Sequence, residues 1–210
     1  MNLLTTERSV NATTRDFELG ANSMTFARLV LAATLREPVP PSVEINLPPK
    51  QVINSIIQYF MSNIYTLFPC FSETAILTIA DEIYQQDQRA IRDTDYWLFY
   101  MVLAIASTSQ STTIHDAYYD SGVEYLAKAL KHGDRALVPG TVAQVQCLLL
   151  LTIYSMLDPA HFDSWHLIGV TARAVVDLGL HQDPPSSSVP DRSVLDMRRR
   201  VFYSVYALDR

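Results

Sequence analysis

Residues 141–185 read TVAQVQCLLLLTIYSMLDPAHFDSWHLIGVTARAVVDLGLHQDPP, and residues 196–210 read DMRRRVFYSVYALDR. The first stretch opens on Thr141-Val-Ala-Gln144, a capping-box pattern in which a threonine side chain and a glutamine three residues on can satisfy the free amides of a helix start. The run 142–157 is then apolar on every side, which predicts a buried helix. Asp158-Pro159 predicts the start of the next helix, since proline suits the first helical position. Phe162, Trp165, Gly169, Ala172, Val175 and Val176 form its expected buried stripe. Gly179 followed by apolar Leu180 fits a Schellman stop, and Pro184-Pro185 keep the helix from resuming. Ser193-Val-Leu-Asp196 repeats the capping pattern and opens a last helix striped by Val194, Met197, Val201, Val205 and Leu208, with Phe202 and Tyr206 beside the stripe. That stripe is still running at Arg210.

Working outward, four more helices precede these. The segment 51–68 places Ile53, Ile56, Ile57, Phe60, Ile64 and Leu67 on one face and stops at Pro69. The segment 72–86 has Ser72 as its expected cap and turns Ile76, Ile79, Ala80 and Ile83 inward. Residues 94–107 are apolar nearly all round, and 115–132 carries Tyr119, Val123, Leu126 and Leu130 at helical spacing with Gly133 as an expected left-handed cap. Residues 37–50 hold Pro38, Pro40, Pro41, Pro48 and Pro49 and read as a linker. Before it, 1–19 reads as weakly ordered and 21–36 as a short helix facing inward through Phe26, Leu29, Val30 and Ala33. The expected division is therefore a flexible segment 1–49 and a domain 50–210. Six glycines in 210 residues and the lack of Asn-Gly or Asp-Gly turns argue against hairpins. The fold class is all-α, an irregular multi-helix bundle that the running stripe leaves incomplete at the C-terminus.

The formal charge of -6 excludes a large basic footprint for nucleic acid. Cys70 and Cys147 lie in apolar surroundings and read as buried thiols. Residues 1–19 lack the apolar core of a signal peptide, and the run 142–157 is shorter than the ~20 residues of a membrane span. A soluble intracellular protein without membrane contact follows.

Chemistry is sparse. His161 and His166 are five apart, on different faces of one helix, and fit no metal spacing. Asp177 and His181 have the offset of a carboxylate orienting an imidazole, but no nucleophile or oxyanion loop accompanies them, so His181 is expected to cap carbonyls at the helix end. Arg198, Arg199 and Arg200 spread over roughly 200° of helix and are expected to form a solvated face with one buried ion pair. Tyr96, Trp97, Phe99, Tyr100, Trp165, Phe202, Tyr203 and Tyr206 are expected in the core, with a pocket for a small hydrophobic effector as the alternative. No catalytic residue, cofactor site or metal site stands out, and the chain reads as no enzyme.

Several landmarks together resemble the middle homology region of fungal zinc-cluster transcription factors. They are Gly20-Ala-Asn-Ser-Met-Thr-Phe26, Tyr59 through Pro69, Trp165 through Asp183 with Ala172-Arg173 and Leu178-Gly179-Leu180-His181, Arg199-Arg200-Val201-Phe202, and Leu208-Asp209-Arg210. The resemblance covers about residues 20–210. It implies an α-helical regulatory domain of a nuclear transcription regulator, one that controls activation through a protein partner or a metabolite and can form a homodimer. The family's zinc belongs to a six-cysteine cluster that two cysteines cannot build, so this segment is expected to bind neither zinc nor DNA. The family pattern also continues beyond both ends, which makes a truncated product, a partial gene model or a fragment the expectation. A stand-alone interaction module that titrates partners is the alternative, and an all-α enzyme the third reading. The expected mechanism is conformational: helices around Trp165 and Phe202 adopt two packings, with Arg173, Asp177, Arg199 and Arg200 as ion-pair positions.

Overall fold

Two helices are buried on every side, and the others are arranged around them: α4 (Asp93–Thr108) and α7 (Val142–Leu157). In α4, Trp97, Phe99 and Met101 through Ala106 are fully buried; in α7, Leu148 through Leu151 and Tyr154 are equally so. The Trp97 indole N–H donates to the Cys147 carbonyl at 3.2 Å, which ties the two together while satisfying the one polar atom of that ring. The computed structural model describes residues 24–43, 47–85, 91–184 and 191–210. Among them the other helices are α1 (Phe26–Thr34), α2 (Lys50–Phe60), α3 (Glu73–Gln85), α5 (Ala117–Leu130), α6 (Gly133–Ala136), α8 (Ser164–Asp177) and α9 (Arg192–Asp209). The described residues hold no strand, only one isolated bridge between Leu35 and Phe162. The all-α expectation holds.

α2, α3 and α5 pack on α4; α8 packs on α7, and α9 on both α8 and α7. The α4–α5 contact is tightest at Gly122, where a β-carbon would sit 2.1 Å from Thr108 Oγ1. α1 lies against α6 and α8. Arg28 and the Thr25 hydroxyl both reach the Asp134 carboxylate, at 3.3 and 2.6 Å. Beyond the proline-rich stretch's first half, the Ser42 hydroxyl and Val43 N–H donate to Glu124, and the Tyr84 hydroxyl donates to the Pro48 carbonyl. Residues 1–23 lie outside the described residues, as do 44–46, 86–90 and 185–190.

Several sequence expectations shift. The 51–68 helix is α-helical only to Phe60; a π-helical turn, Met61–Tyr65, follows, so the register slips and Leu67 emerges 67% exposed. Gly133 is no left-handed cap: it begins α6. The Thr141 hydroxyl does accept the Gln144 N–H at 3.0 Å, but the returning Gln144 Oε1 accepts from Gly140 N, also at 3.0 Å, one residue further back than a capping box requires. α8 does not start at Asp158-Pro159. Its cap is Asp163, which accepts the His166 N–H at 3.2 Å. Asp158 is instead drawn inward, where its carboxylate accepts the Tyr154 and Tyr119 hydroxyls at 3.0 and 3.3 Å and meets His161 Nδ1 at 2.7 Å. Both cysteines are free and buried, and burial pushes the Cys70 thiol up to about 12 and Cys147 higher still. No helix among the described residues is long and apolar enough to cross a membrane.

Candidate functional site

The end of α8 has the predicted geometry. Gly179 has φ +63°, a conformation that costs glycine little. It lets the Leu180 N–H reach back to the Val175 carbonyl at 3.0 Å while the Gly179 N–H bonds Val176 at 2.9 Å, the paired bonds of a Schellman motif. Leu180 is thereby turned into the core at 4% exposure.

This reversal presents two acceptors to α9. The Gly179 carbonyl accepts from Arg198 Nη2 at 3.1 Å. The Asp183 carboxylate accepts both Nε and Nη2 of Arg199, at 3.1 and 2.7 Å, a bidentate fork that only a guanidinium can make. The Arg199 hydrogen bonds hold the Asp183 carboxyl below the usual carboxylate range and raise Arg199 in turn. Arg200 turns the other way, to Asp196 at 2.7 Å along its own helix. The arginine triplet thus splits three ways, as its arc requires. The expected buried ion pair is absent: the pairs of Arg199 and Arg200 both stand in solvent, because α9 has only one packed side. That packed side is Val201, Val205 and Ser204, with Phe202 half-buried.

Other expected site residues separate. Trp165 is not in the buried stripe: it is 80% exposed, because a helix starting at Ser164 points its first turn outward. Val176 is likewise exposed. His181 is exposed and makes no hydrogen bond among the described residues, so the expected cap is not formed; the Gly179 carbonyl beside it accepts from Arg198 instead. The aromatic set does not converge on a pocket. Trp97 and Phe99 are core, Tyr96 stacks on His132 at 4.6 Å, and Phe202 stacks on Tyr206 at 6.1 Å with the Arg210 guanidinium 5.1 Å over the Tyr206 ring. Asp209 closes α9 in solvent. His161 and His166 each face a different carboxylate, Asp158 and Asp163. Among the described residues no three His, Cys, Asp or Glu groups gather for a metal.

Arg173 and Asp177 do come together, not as an ion pair but as two rims of a 380 Å³ recess between α1, α7 and α8. The buried Asp158 cluster is the feature missed from sequence. Tyr154 and His161 stand four before and three after Asp158, a local signal, whereas Tyr119 arrives from α5 and left none. Burial first, then the Asp158 charge, pushes Tyr119 up to about 12 and Tyr154 beyond it. Its hydrogen bonds tie α5 to the corner between α7 and α8.

The match to known proteins falls on the same ground. Residues 57–210 match the family described as the fungal specific transcription factor domain. The chain is 31% identical to Protein STB5 of Saccharomyces cerevisiae over 163 residues, covering 74% of the chain and 22% of that protein. It is 25% identical to the lactose regulatory protein LAC9 of Kluyveromyces lactis over 173 residues, 80% of the chain and 18% of that protein. It is 26% identical to the negative regulator of pleiotropic drug resistance STB5 of Candida glabrata over 180 residues, 77% of the chain and 18% of that protein. The chain thus spans about a fifth of the length of these curated relatives. No solved structure matches. With the match covering α3 through α9 and the last turn of α2, the chain belongs to the family of the fungal specific transcription factor domain.

Proposed function

We propose that residues 50–210 are a regulatory domain that sets the activity of a fungal transcription regulator by conformation, in the nucleus, without catalysis and without reading DNA itself. The observation that carries this is the α8–α9 seam. Within the family match, Gly179, Asp183, Arg198 and Arg199 join two helices beside a single apolar stripe, through a half-buried Arg198–Gly179 bond and an exposed Arg199–Asp183 fork. Such a joint has a low cost of rearrangement, and a partner that favours one arrangement shifts the population. α9 is the movable element; Tyr203 and Tyr206 give it an aromatic outer face for a protein partner or a second copy. The net charge of -6 supports a protein rather than a DNA contact. Cys70 and Cys147 are too few for a six-cysteine zinc cluster, so no zinc is assigned to this chain.

The test places the 210-residue chain between a heterologous DNA-binding module and an activation module in yeast. Arg199→Glu is expected to change reporter output, and the swap Arg199→Glu with Asp183→Arg to restore it. Output that ignores Arg199→Glu, at equal protein level, overturns the proposal.

A further inference from the structure

The recess between α1, α7 and α8 is framed by charges that nothing else in the fold uses. Arg173 and Asp177, one turn apart on α8, both line it and both are exposed; among the described residues neither forms an ion pair, although their spacing would allow one with each other. Asp177 is also the last residue of α8, where the negative end of the helix dipole disfavours a carboxylate. A lone acid there lowers stability, and no cation among the described residues pairs with it.

Deeper in the recess stands Gln144, 3% exposed. Its Oε1 is taken by the Gly140 N–H, at 3.0 Å. Its Nε2 makes no hydrogen bond among the described residues and lines the recess, where a guest can reach it. The remaining walls are apolar: Phe26 from α1, Pro139 from the loop, and Val170, Ala174 and Leu178 from α8. They are held in place, since Thr25 and Arg28 fasten α1 to Asp134 and the Gln144–Gly140 bond fixes the loop. At 380 Å³ the space lies at the small end of ligand pockets, which run about 300–1,000 Å³.

We infer that this recess binds a small zwitterion with a short apolar body, of the amino-acid class. Its carboxylate meets Arg173 and the open Gln144 amide, its ammonium meets Asp177, and its side chain lies on the Phe26–Val170–Leu178 wall. An ammonium at Asp177 also sits at the favourable end of the α8 dipole. The site ends at Leu178, next to the Gly179 carbonyl that Arg198 grips, so occupancy bears on the α8–α9 seam. Binding itself stands independently of how the domain acts on transcription.

The experiment screens the standard amino acids one at a time against the 210-residue chain by saturation-transfer NMR, then titrates the best binder calorimetrically. Saturable binding is expected, weakened about tenfold or more by Arg173→Met and by Asp177→Asn, as befits loss of one charge-assisted bond each. Decarboxylated and deaminated analogues of that amino acid should bind the unmodified chain as weakly. Both side chains are exposed and unpaired, so neither variant should lower the melting temperature, which separates lost binding from lost folding. Absence of saturable binding by any amino acid, or binding indifferent to both substitutions, overturns the inference.

Discussion

The chain has two tryptophans, and they stand in opposite kinds of structure. Trp97 is wholly enclosed between α4 and α7, its N–H satisfied by a carbonyl; Trp165, on the first turn of α8, is 80% exposed and touches no described ring. The α4–α7 centre is held by apolar area removed from water, at roughly 25 cal/mol per Å². It leaves little room for an alternative packing, because both helices are enclosed except at the last turn of α7. The α8–α9 edge is held by one apolar stripe, a half-buried Arg198–Gly179 bond and the exposed Arg199–Asp183 fork. Solvent competes for those bonds, so they specify a geometry without locking it. The centre makes the fold, and the edge makes it adjustable.

The sharpest way to break this contrast is at the centre. Trp97→Ala is expected to destabilise the chain by about 3–5 kcal/mol, measured by urea unfolding, since it removes a large enclosed ring and strands no space for repacking. Next comes Gly122→Ala. Its added methyl would stand 2.1 Å from Thr108 Oγ1 and 3.1 Å from the Thr108 backbone nitrogen, so α5 must back away from α4. A loss of about 1–3 kcal/mol is expected, partly recovered by Thr108→Ala. The smallest effect belongs to Trp165→Ala, expected to leave stability within about 0.5 kcal/mol of the original. The same substitution should remove the red-shifted, readily quenched part of the fluorescence and leave the emission of Trp97. A Trp165 variant as damaging as the Trp97 one would erase the distinction between the two regions.

The centre was legible in sequence and the edge only half so, for physical reasons. Helices that are apolar all round announce their burial whatever their partners, so α4 and α7 were placed to within a residue or so. The Gly179 stop was equally legible, because a left-handed turn followed by an apolar residue is a local requirement. Asp158-Pro159 misled because its local chemistry is that of a helix start, while its side chain answers to Tyr119, 39 residues away. Moving the start of α8 to Ser164 then turned Trp165 out of the stripe in which a regular period had placed it. The π-helical turn at Met61–Tyr65 did the same to Leu67. Arg173, Asp177 and Arg199 were legible as charges with work to do. Their partners were not, since pairing depends on which loop the fold brings back: Asp183 for Arg199, and none among the described residues for the other two.

The measurement that bears most directly on the central claim is amide hydrogen exchange, read helix by helix. The unmodified chain, Arg199→Glu, and Arg199→Glu with Asp183→Arg would be compared. The predicted result is that Arg199→Glu lowers protection in α9 and the last turn of α8 alone, that the swapped pair restores it, and that α4 and α7 exchange as before in all three. Protection that falls throughout the chain together, or does not fall in α9 at all, would contradict an edge that moves independently of its core.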